Sequence, residues 1–127
     1  MSYDVRILMR EQVTGRFVVI AEPERHSPTY NLRDVFKKAM GMDWEQGVEY
    51  PCAEMLPAIK RGIDELTYNR GAYERYAPPN GWGTLKGALE CLEECRDMIL
   101  NLTEGDESGG TMMFTEPWPI ECLWFRW

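Results

Sequence analysis

The side chains able to carry out covalent chemistry are few and scattered. The single imidazole is His26. A Ser-His-Asp or Cys-His relay would have to use it, and nothing around it resembles the Gly-x-Ser-x-Gly nucleophile turn. The four thiols are Cys52, Cys91, Cys95 and Cys122. One of them acting with His26 as its base is the only such pairing the composition permits, and buried cysteines are more often inert core residues. Cys91 and Cys95 stand four apart on a predicted helix, which puts two sulfurs on one face. Cys-x-x-x-Cys is not the usual structural-zinc spacing and His26 lies in another segment, so helix packing is the expected role. The expectation is no catalytic residue, no metal and no cofactor.

Carboxylates are the more conspicuous group. Between residues 90 and 107 there are seven acids and one base, Arg96. Glu90, Glu93, Glu94 and Asp97 fall opposite an apolar stripe. A solvated helix face is the ordinary meaning of that pattern. The same face is also a candidate protein interface, because clustered acids complement a basic groove made for nucleic acid. A formal net charge of -7 points the same way. Direct binding to nucleic acid or to an anionic membrane is disfavoured, and a basic protein partner is allowed.

Two polar and aromatic loops are the candidate ligand site. Thr29, Tyr30 and Asn31 precede one predicted helix, and Asn80, Gly81 and Trp82 precede another. Backbone N–H groups at a helix start favour an anion, and an aromatic ring can stack on a base. Arg75 is the nearby cation, with Arg25 and Arg70 as further sources of charge. A nucleotide held there is one reading. The other is that Tyr30 and Trp82 plug the core while Asn31 and Asn80 serve caps and turns. Gly81-Trp82-Gly83 lacks the third glycine and the preceding strand of a dinucleotide fingerprint, and there is no Walker loop.

These groups need elements to hold them. Val5–Met9 and Arg16–Ile20 read as strands about a Thr14-Gly15 turn, a β-hairpin. The apolar run at 17 to 21 predicts a strand covered on both faces. Asn31 is placed to cap a helix whose buried face is Leu32, Val35, Phe36, Ala39 and Met40, with Gly41 as its stop. Met42 to Tyr50 reads as a loop. A second helix spans about Cys52 to Asn69; Pro57 either sits in its first turn, if it starts near residue 55, or kinks it. Ala72–Tyr76 predicts one more helical turn. Thr84 caps a third helix with its stripe on Leu85, Ala88, Leu89, Leu92, Cys95, Ile99 and Leu102. Glu104 to Gly110 reads as a flexible acidic loop and Ile120–Trp127 as a final strand. The aromatic final strand is expected to join the hairpin and, if it forms a sheet edge, to invite a homodimer.

The predicted fold class is therefore α+β: an antiparallel sheet, made of the N-terminal hairpin plus the C-terminal strand, with about three helices packed on one face. At 127 residues and 44% hydrophobic composition, one domain spanning 1–127 is expected. There is no spanning apolar run and no signal peptide at the start, so a cytoplasmic location follows.

Ser2-Tyr3-Asp4-Val5, Thr29-Tyr30-Asn31 and Tyr76-Ala77-Pro78-Pro79-Asn80-Gly81-Trp82-Gly83, followed by the Gly87-Ala88-Leu89 helix, carry a resemblance over roughly residues 2 to 100. They resemble a family of small phage and prophage proteins with no settled activity. The resemblance implies a phage context, in which small accessory proteins often antagonise bacterial immunity. With a lone imidazole and no assembled set of reactive groups, the action expected in that context is stoichiometric binding of a host defence effector, such as a CRISPR nuclease complex. The alternative is sequestration of a nucleotide immune signal between the Asn31 and Trp82 loops. A small enzyme and a regulatory phage protein are the further alternatives.

Overall fold

The computed structural model describes residues 5–11, 13–23, 32–77, 84–104 and 118–127. Two strands open the chain, β1 (Arg6–Arg10) and β2 (Phe17–Ala21). Their turn closes through Glu11 N–H donating to the Arg16 carbonyl at 2.8 Å, and the Thr14 hydroxyl bonds the Glu11 carboxylate at 2.6 Å. Helix α1 (Arg33–Met40) follows. Gly41 ends it at φ 64°, the left-handed cap that glycine adopts without a Cβ penalty. Next come a short strand β3 (Glu49–Pro51) and helix α2 (Cys52–Tyr68). A 3-10 helix at Arg70–Tyr76 leads toward helix α3 (Leu85–Glu104). A 3-10 turn at Ile120–Cys122 runs straight into strand β4 (Leu123–Arg126).

The strands form one antiparallel sheet in the order β2-β1-β4-β3. The fold is α+β, as the hairpin, the C-terminal strand and the helical periodicities foretell. β4 pairs with β1 in the register Ile7↔Phe125 and Met9↔Leu123. Strand alternation turns Ile7, Leu123 and Phe125 to one face, where they join the core with α1, α2 and α3. Trp127, just past β4, stacks on Trp44 at 4.3 Å between ring centroids and lies 5.1 Å from Phe36. These rings tie the end of the chain to α1 and to the segment after it.

Three local expectations are corrected. Met42 to Tyr50 is not all loop: Glu49 and Tyr50 begin β3, whose partner β4 lies more than 70 residues away and leaves no local trace. β2 is not covered on both faces. It ends the sheet, and Val18 and Val19 are 40% and 39% exposed, because an apolar run reports β propensity without reporting neighbours. The aromatic C-terminal strand is not an edge; it lies between β1 and β3, and it starts only at Leu123. Helix α2 starts at Cys52, as its sequence indicates, with Pro51 as its N-terminal flank, which excludes the alternative of Pro57 in a first turn near residue 55. Pro57 lies well inside it, on the exposed side with Ala53, where water can reach the carbonyl that Pro57 cannot bond.

Helix α3 begins as its sequence indicates. The Thr84 hydroxyl accepts the Gly87 N–H at 2.9 Å and the Thr84 carbonyl accepts that of Ala88 at 2.9 Å. The predicted loop at 104–110 lies outside the described residues, apart from Glu104, which ends α3.

Candidate functional site

The acidic group is set by the geometry of α3. Leu85, Ala88, Cys91, Leu92, Cys95 and Ile99 are its buried residues, and α3 packs them mainly against α2. At helical spacing, Glu90, Glu93, Glu94 and Asp97 centre about 180° from that stripe. The structure thus brings the four predicted acids onto one face. Asp97 is exposed, and Glu90, Glu93 and Glu94 are half-buried. Lys86 approaches Glu90 at 3.9 Å, and Arg96 Nε meets Asp97 Oδ1 at 3.0 Å. These contacts are solvent-facing, so they soften the field of the face without removing it.

Two of the thiols, Cys52 and Cys95, are held away from nucleophilic chemistry. Cys52, Cys91 and Cys95 are buried and Cys122 is exposed. Burial pushes the Cys52 thiol up to about 12. The Cys95 thiol is also raised, first by its hydrogen bond with Cys91 and then by burial. A thiol in that state carries almost no thiolate near neutral pH. Cys91 and Cys95 do share a face, and that face is the one packed into the core. Among the described residues, no group of three or more His, Cys, Asp or Glu side chains is placed to hold a metal ion.

Of the predicted ligand loops, Thr29, Tyr30, Asn31, Asn80, Gly81 and Trp82 lie outside the described residues, as do His26 and Gly83. Arg75 is described. It is exposed at the end of the 3-10 helix, and its guanidinium lies 4.9 Å from the Tyr76 ring centroid and bonds the Tyr76 hydroxyl at 2.9 Å. That pairing fixes its direction locally.

An open depression of about 480 Å³ is lined by Met9, Arg10, Glu11, Val13, Trp118 and Cys122. The hairpin end and the segment entering β4 create it jointly, so no local motif announces it. Its lining is mostly apolar, with no convergent set of buried polar groups of the kind that fixes a small ligand.

Compared with family models, curated proteins and solved structures, the chain matches none. Among the described residues, no helix is long and apolar enough to cross a membrane.

Proposed function

We propose that this chain is a phage-type, non-enzymatic binding protein that counteracts bacterial immunity by stoichiometric capture of a defence effector, with the acidic face of α3 as the contact. One observation carries the reading. Glu90, Glu93, Glu94 and Asp97 share the face opposite the buried stripe of a 20-residue helix. A helix of that length presents a rigid rod about 30 Å long, comparable to the run of phosphates that a nucleic-acid groove accepts. The net charge of -7 adds long-range attraction toward a basic groove. The phage context comes from the motif resemblance, and the effector class follows from it: a nuclease complex with a basic nucleic-acid channel.

The test is binding and inhibition of purified CRISPR nuclease complexes by the full chain. The expected result is a stoichiometric complex with loss of cleavage. Glu90→Lys combined with Glu94→Lys should weaken that complex about tenfold or more while the circular dichroism spectrum stays unchanged. An unchanged affinity would remove α3 as the contact. Turnover of a nucleotide or other substrate by the pure protein would overturn the non-enzymatic reading.

A further inference from the structure

We draw no further inference here: the strongest candidate, the open depression at the hairpin end where Met9, Val13 and Trp118 surround the exposed thiol of Cys122, is an apolar surface beside a lone cysteine, and nothing in the structure shows what covers it.

Discussion

At the scale of single residues, Cys52 is the side chain whose chemistry the fold changes most clearly. It begins α2 and is fully buried, and burial raises its thiol from an ordinary value of 9.0 to about 12. The folded protein therefore holds the neutral thiol over a range where the unfolded chain ionises. The stability this contributes is complete below pH 9 and is lost as pH rises from 9 toward 12. The expected outcome is a denaturation midpoint that falls across that window in the parent. Cys52→Ala should start lower, because it leaves a small cavity, and should fall less steeply. Urea titrations at a series of alkaline pH values would measure both slopes.

At the scale of elements, the helical layer is held by one close approach. A Cβ on Gly62 would stand 2.8 Å from Leu92 Cδ1 on α3 and 3.0 Å from Met40 Cγ on α1. All three helices meet there, so the backbone of α2 is admitted only without a side chain. Alanine usually favours a helix over glycine by about 1 kcal/mol. Overpacking a tight core costs about 1–3 kcal/mol and should win here. Gly62→Ala should lower stability, whereas Gly71→Ala, where nothing lies within 4 Å, should be neutral or stabilising. Chemical denaturation of the pair would decide it; a stabilised Gly62→Ala would mean that Leu92 and Met40 yield freely. The same layering explains why α3 can carry an interface. Its inward stripe fixes its position, and its outward acids can vary without touching the core.

At the scale of the whole molecule, the proposed contact rests on charge, with the net charge of -7 behind it. The α3 contact is electrostatic and should weaken steeply with salt, because the Debye length shortens from about 10 Å at 0.1 M to about 3 Å at 1 M and none of the four acids is fully buried. Raising salt from 0.1 M to 0.5 M should therefore weaken an effector complex about tenfold or more, read by titration calorimetry, and an affinity indifferent to salt would contradict the electrostatic reading.

What the residues alone decide is local. Helical stripes name α1, α2 and α3 because residues three and four apart must share a face, and Thr84 and Gly41 mark ends because their chemistry acts within one turn. The acidic face of α3 was legible for the same reason: Glu90 to Asp97 needs only the helix to be assembled. The hairpin was equally plain from Thr14-Gly15 between two apolar runs. Whatever depends on distant neighbours had to wait for folding. β3 exists because Glu49–Pro51 meets β4, and β4 is central because β3 covers its far side, facts that no short window of sequence contains. Only when these strands take their places does β2 become, among the described residues, the outer strand of the sheet. Periodicity specifies a face; which neighbour covers it depends on long-range pairing, whose entropic cost is repaid only in the assembled core.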